Sequence, residues 1–121
     1  MQYMLLIYDE EVNWAGMSEA DRNAMMAEYF QFTEDLRKSG KNVAGDALQP
    51  LSTAKSVRVR DGSAQTTDGP FAETKEALGG YYLVDVESEE EALEWAAKIP
   101  SARIGTIEVR PVVVFPVEAT A

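Results

Sequence analysis

The sequence has no cysteine and no histidine among its 121 residues. A chain without cysteine forms no disulfide, which agrees with a reducing compartment, and we expect a cytoplasmic location. A chain without histidine lacks the commonest ligand of transition metals and the commonest proton carrier at neutral pH. Nucleophile systems that pair a serine or a cysteine with a histidine are therefore excluded.

Basic residues are scarce, because 11 lysines and arginines stand against 21 aspartates and glutamates and the formal charge is −10. Phosphate binding needs clustered basic residues, so we expect no nucleic-acid partner. There is no apolar run near the roughly 18 residues that cross a membrane, and the acidic amino-terminal stretch does not resemble a signal peptide. We expect no membrane association and no cofactor.

What remains is typical of a globular protein, with 45% hydrophobic and 26% charged residues. The length predicts one domain over residues 1–116, followed by a frayed tail over residues 117–121. The apolar residues 2–8 predict a strand buried on both faces, and residues 9–17 a loop. A helix follows, with Ser18 as its cap and Gly40 at its end. Its apolar stripe is Met25, Tyr29, Phe32 and Leu36, widened by Met26 and Phe30.

The second half of the chain repeats this order after an insertion. Residues 43–48 predict a strand, and the turn at Asp61-Gly62 predicts a hairpin between residues 56–60 and 64–67. Residues 80–86 predict another strand, and Gly79 and Gly80 predict a bend or bulge before it. Ser88 predicts the capping box of a second helix, which ends at Pro100. Residues 106–115 predict the last strand.

Two strand–helix–strand halves predict an α+β fold, namely a ferredoxin-like split βαβ sandwich with an inserted hairpin. Two helices cover only one face of its sheet. Residues of the first strand are nevertheless apolar on both faces, with Met4, Leu6 and Tyr8 on the second one. An uncovered apolar face of this size usually binds a partner. We therefore expect a homodimer that pairs through the sheet face.

Residues 66–76 read TTDGPFAETKE, in which Asp68, Gly69 and Pro70 form a constrained turn. Together with Gly79-Gly80-Tyr81-Tyr82 and the later Ile107-Glu108-Val109-Arg110-Pro111, this stretch is similar to the signature of the DGPF branch of the YCII-related family. The resemblance covers nearly the whole chain. It implies a dimeric α+β barrel with a cleft beside or between the sheets. Related proteins are thought to use a His–Asp pair in that cleft, and this chain has no histidine to supply it.

Asp68 is the candidate general base, because a carboxylate at a turn beside an apolar ring can have a raised pKa; the alternative is that it only caps the turn. Arg110 is a candidate for binding a ligand carboxylate or phosphate, or else for an ion pair with Glu73 or Glu76. Asp68, Glu73 and Glu76 are three acids within nine residues, but their spacing is not that of a metal-binding loop, so we predict no metal site. The predicted ligand-binding residues are Tyr29, Phe71, Glu73, Lys75 and Arg110.

Two functions follow from these observations. The first is a small-molecule-binding dimer, which acts as an enzyme if an Asp carboxylate transfers a proton. The second is a non-enzymatic accessory or regulatory protein of an extracytoplasmic-function sigma factor system, which the resemblance implies. The sequence alone identifies neither a substrate nor a reaction.

Overall fold

Strand β1 (Gln2–Asp9) is the centre of the fold, and its alternate side chains from Tyr3 to Asp9 are buried. The computed structural model describes residues 1–116, and the predicted tail, residues 117–121, lies outside the described residues. Within that range no helix combines the length and the apolar character needed to cross a bilayer. The predicted cytoplasmic location of the protein stays a prediction.

Three α-helices follow the strand in sequence: α1 (Glu11–Ala15), α2 (Glu19–Ser39) and α3 (Glu89–Lys98). The predicted caps of the two long helices are confirmed. Ser18 Oγ accepts a hydrogen bond from the Asp21 N–H at 3.1 Å, and Ser88 Oγ accepts one from the Glu91 N–H at 3.2 Å. Gly40 ends α2 with φ of 78°, a left-handed conformation that favours glycine.

The prediction of a loop over residues 9–17 was wrong, since α1 lies inside it. The side chains of Asn13 and Trp14 both donate hydrogen bonds to the Asp9 carboxylate, at 2.7 and 2.9 Å. These two contacts join one helical turn to the end of β1. They stabilise a five-residue helix that has no side-chain cap of its own.

The main sheet adds β2 (Asn42–Ala47), β5 (Ala77–Asp85) and β6 (Thr106–Pro111) to β1, in the order β2-β5-β1-β6 with every neighbouring pair antiparallel. Strands β3 (Lys55–Arg60) and β4 (Ser63–Asp68) form a separate hairpin. Its predicted turn is confirmed, because Asp61 and Gly62 both have positive φ angles, 51° and 77°. The protein is therefore a mixed α+β structure with antiparallel sheets.

The last strand is shorter than predicted, because β6 ends at Pro111 rather than at residue 115. Its neighbour β1 begins at Gln2. The last backbone hydrogen bond between the two strands runs from the Val112 N–H to the Gln2 carbonyl, at 3.0 Å. Beyond that point β1 offers no backbone to pair with. The apolar residues 113–115 are accordingly exposed.

The core lies between one face of the sheet and the two long helices. Leu5, Leu36 and Val84 are fully buried there. The Phe32 ring meets the rings of Tyr82 and Trp95 edge to face, with centroids 5.0 and 5.9 Å apart. The remaining core members come mostly from β1 and α3: Tyr3, Ile7, Val86, Ala92, Ala96 and Ile99.

The opposite side of the sheet, here called the outer face, carries the residues that alternate with this core. Met4 and Leu6 of β1 lie opposite Leu83 and Tyr81 of β5, and all four are only half-buried. On the other flank the same two residues lie opposite the exposed Arg110 and Glu108 of β6. The predicted two-sided apolar character of β1 is thus present in the structure.

Candidate functional site

A cavity of about 680 Å³ opens at the end of the sheet where β1 stops. It lies between the edge strand β2 and its neighbour β5 on one side and helices α1 and α2 on the other. Its size is that of a pocket for a small organic molecule. Most of the side chains that line it are apolar or aromatic, among them Trp14, Met26, Tyr29, Phe30, Leu48 and Tyr82.

Several small residues of the sheet lie beneath the cavity and leave space there. Gly45 and Ala47 of β2 and Ala77 and Gly80 of β5 line the space, with Ala47 directly opposite Gly80 and Gly45 opposite Tyr82. A Cβ at Gly45 would come within 2.7 Å of the Tyr82 ring, and one at Gly80 within 2.9 Å of a backbone carbonyl. Larger residues are therefore excluded at these two positions by packing, and small residues form this floor of the cavity.

Helix α2 places apolar side chains above this floor. Met26 and Phe30 are 44% and 70% exposed, although both were predicted to widen the buried stripe. That prediction was wrong for a geometric reason. Met26 and Phe30 each follow a core position, Met25 and Tyr29, by one residue, which places them at the edge of the apolar stripe. Their side chains therefore lie over the floor of the cavity and not over the core.

The polar end of the cavity centres on Asp9, which is only 7% exposed. Its Oδ1 accepts hydrogen bonds from the Glu10 N–H and from Asn13 Nδ2, both at 2.7 Å. Its Oδ2 accepts one from Trp14 Nε1 at 2.9 Å. Three neutral donors therefore orient the carboxylate, and they fix the indole of Trp14 at the cavity wall.

Tyr29 and Ser101 form a second polar contact at the same end. Their hydroxyl oxygens lie 2.5 Å apart, and Ser101 is almost completely buried, at 1% exposure. Burial raises the pKa of the Tyr29 phenol above 10.0, nearby Tyr82 and Asp9 add to the rise, and hydrogen bonds from Ser101 oppose it. The phenol therefore keeps its proton at neutral pH and can donate a hydrogen bond, either to Ser101 or to a ligand.

This pKa shift predicts how stability depends on alkaline pH. The folded protein holds the Tyr29 proton above pH 10, where the unfolded chain releases it, so the stability contributed by this group is complete below pH 10 and is lost as pH rises beyond it. We expect the urea midpoint to fall between pH 9 and pH 11, and to fall less in Tyr29→Phe. Equal slopes in wild type and Tyr29→Phe would contradict the assignment.

Among the predicted site residues, only Tyr29 lines this cavity. Asp68 lies in the hairpin, where its carboxylate is 88% exposed and lies 2.5 Å from Lys55 Nζ. Phe71 is 75% exposed, and the Arg58 guanidinium rests 4.8 Å from its ring centroid. The structure thus keeps the predicted base and the cavity apart within one chain.

The other predicted residues also lie outside the cavity. Lys75 Nζ is 3.5 Å from Glu10 Oε1, so this lysine forms an ion pair at the side of the site. Arg110 is exposed on the outer face, and among residues 1–116 it forms no ion pair with Glu73 or Glu76. Their predicted roles in ligand binding stay predictions. In the same described range, no cluster of three acidic residues has the arrangement of a metal site.

Comparison with known proteins gives this architecture a family. A model of the YCII-related domain matches residues 1–116. The chain belongs to the YCII-related family. It is also 33% identical over 117 residues to an uncharacterised protein of Rhizobium meliloti (strain 1021), and the match covers 95% of this chain and 94% of that relative. The family assignment therefore carries no assigned reaction with it.

Sequence reasoning missed the residues at the polar end of the cavity. One signal for Asp9 was present, because it continues the alternation of Tyr3, Leu5 and Ile7 and so points to the core face. No comparable signal marked Ser101. It meets Tyr29 across 72 residues of sequence, and only the packing of α2 against the turn after α3 brings the two together.

Proposed function

We propose that this YCII-related protein binds a small organic molecule in the cavity at the end of its main sheet. The observation that carries the proposal is the combination of a glycine and alanine floor with apolar side chains of α2 left exposed above it. A chain that needed only stability would fill such a space, since unfilled apolar contacts cost free energy. A flat ligand between Phe30 and the floor supplies those missing contacts.

We further propose the finer family and fold assignments. The strand order β2-β5-β1-β6 supports a ferredoxin-like split βαβ sandwich, in which the hairpin β3–β4 is the insertion. The DGPFAETKE stretch supports the DGPF branch. The half-buried outer face supports a homodimer of the α+β barrel type, with one outer face packed against another.

The proposal includes proton transfer only as an option for the same cavity. Tyr29 supplies a hydrogen-bond donor that stays protonated at neutral pH, and Asp9 supplies an oriented carboxylate. The general-base role of Asp68 stays a separate prediction, because its carboxylate is exposed and paired with Lys55. Whether the protein is an enzyme depends on what the ligand is.

A cavity-filling substitution tests the binding proposal. Ala47→Leu places a branched side chain on the floor, and we expect it to weaken binding by at least about tenfold, because the ligand and the new side chain compete for one space. Since Ala47 is exposed, the fold should tolerate the change. The measurement is a thermal-shift and NMR screen of small aromatic compounds. The screen includes acidic, basic and neutral analogues of the same aromatic ring. At ten times its Kd, a ligand stabilises the protein by about 1.4 kcal/mol.

The matched control is Ala97→Leu, the same substitution at an exposed position of α3 away from the cavity. It should bind the compounds as the wild type does. A compound that binds the wild type and Ala47→Leu equally tightly would place the binding site elsewhere. If no compound stabilises the wild type, the alternative gains weight, namely an accessory protein of a sigma factor system. The exposed hairpin, with Val57 and Val59 exposed and the exposed Phe71 close after it, is the surface that favours this alternative.

A further inference from the structure

The charges around the cavity are of one sign. Four acidic residues line it, Asp9, Glu10, Glu11 and Asp46, and within the described part of the chain no lysine or arginine does. The closest candidate, Lys75, has an 89% exposed side chain and pairs with Glu10. The whole chain is strongly acidic as well, at −10. A ligand with a carboxylate or a phosphate would find no unpaired cation here, and the surrounding field would repel it.

Asp9 gives the negative charge of the cavity a defined position. A buried aspartate is normally paired with a cation. Among residues 1–116, none of the ion pairs involves Asp9, and its three hydrogen-bond donors are a backbone N–H, an amide and an indole. Neutral groups alone therefore orient the carboxylate, and no lysine or arginine of the described residues pairs with it.

The aromatic walls suit a positively charged group. The rings of Trp14 and Tyr29 lie with centroids 6.4 Å apart, tilted by 37°, at the Asp9 end of the cavity. An ammonium group is attracted to the faces of such rings, most strongly to indole. Elsewhere this chain already places cations on aromatic faces, with Lys98 Nζ at 4.8 Å from the Trp95 centroid.

We infer that the ligand of this cavity is an aromatic amine, with its ammonium group beside Asp9 and Trp14 and its ring between Phe30 and the glycine floor. The inference rests on the proposed function and adds the chemical class of the ligand. It also reverses the charge of the ligand expected from the sequence, where Arg110 favoured an anionic ligand. The floor of glycine and alanine leaves room for the planar ring, and the buried carboxylate accounts for the positive charge.

Three probes with one aromatic body test the charge without any mutation: tryptamine, 3-methylindole and indole-3-propionate. We expect tryptamine to bind about tenfold more tightly than 3-methylindole, a difference of about 1.4 kcal/mol, with indole-3-propionate weakest. Calorimetry gives the affinities, and shifts of backbone amides around Gly45 and Gly80 locate the binding. The advantage of tryptamine should shrink as salt is raised. Equal affinity for tryptamine and 3-methylindole, or tighter binding of the acid, would overturn the inference and leave the binding function standing.

Asp9→Asn removes the charge and should abolish most of the preference for tryptamine over 3-methylindole. The matched control, Glu34→Gln, removes a charge on α2 that pairs with Lys38 outside the cavity, and should leave the preference unchanged. If Asp9→Asn does not fold, the probe series on the wild type still decides the question. Absence of all three probes from the cavity overturns the inference, and the broader screen with Ala47→Leu then shows separately whether the binding function fails too.

Discussion

Leu5→Ala should lower the free energy of unfolding by about 3 kcal/mol, the middle of the range for a buried leucine truncated to alanine. Leu5 is fully buried between β5, β6 and the helices, so neighbouring side chains leave a cavity that they fill only in part. Urea unfolding at one fixed protein concentration measures the change, because a dimer makes apparent stability depend on concentration.

The control for this substitution is Leu93→Ala on α3. Leu93 is 51% exposed, so the same truncation should cost less than about 0.5 kcal/mol. A loss at Leu5 as small as that at Leu93 would mean that the helices do not pack on this face of the sheet. The cavity, whose roof is α2, would then have no fixed shape, and the proposed site would lose its basis.

The second large effect concerns assembly through the outer face. We expect light scattering at micromolar concentration to report about 27 kDa, twice the 13.3 kDa chain, because pairing of two outer faces buries the half-exposed Met4, Leu6, Tyr81 and Leu83. Met4→Lys places an unpaired charge in that interface, because its cross-strand neighbours are Leu83 and Arg110. The mass should then fall to that of one chain, since a lone buried charge costs several kcal/mol.

Leu93→Lys, which adds the same charge on α3, should leave the mass at that of the dimer. A wild-type protein that stays a monomer under these conditions would contradict the proposed dimer. A dimer that survives Met4→Lys unchanged would show that the chains pair through another surface. The exposed hairpin β3–β4 would be the first one to test, because a two-stranded hairpin with both faces exposed is marginally stable alone.

Features that depend on near neighbours in the chain were predictable from the sequence. The caps of α2 and α3, the turn at Asp61-Gly62 and the alternation along β1 all appear in the structure where the pattern indicated. Each rests on hydrogen bonds or side-chain periodicity within a few residues, so local sequence contains the whole cause. The bulge at Gly79, where the pairing of β1 with β5 shifts, belongs to the same class.

The candidate site was decided by tertiary structure. Gly45 and Gly80 come from strands far apart in sequence, and only their neighbouring positions in the sheet produce a floor. Asp9 and Trp14 meet because a short helix folds back on β1, and Tyr29 meets Ser101 across the core. The conspicuous DGPF stretch instead lies by an exposed hairpin, since no local rule states which face of the protein a turn will reach. The sequence by itself determined the elements and their caps, and packing between distant elements decided where an oriented carboxylate, a protonated phenol and an unfilled floor meet.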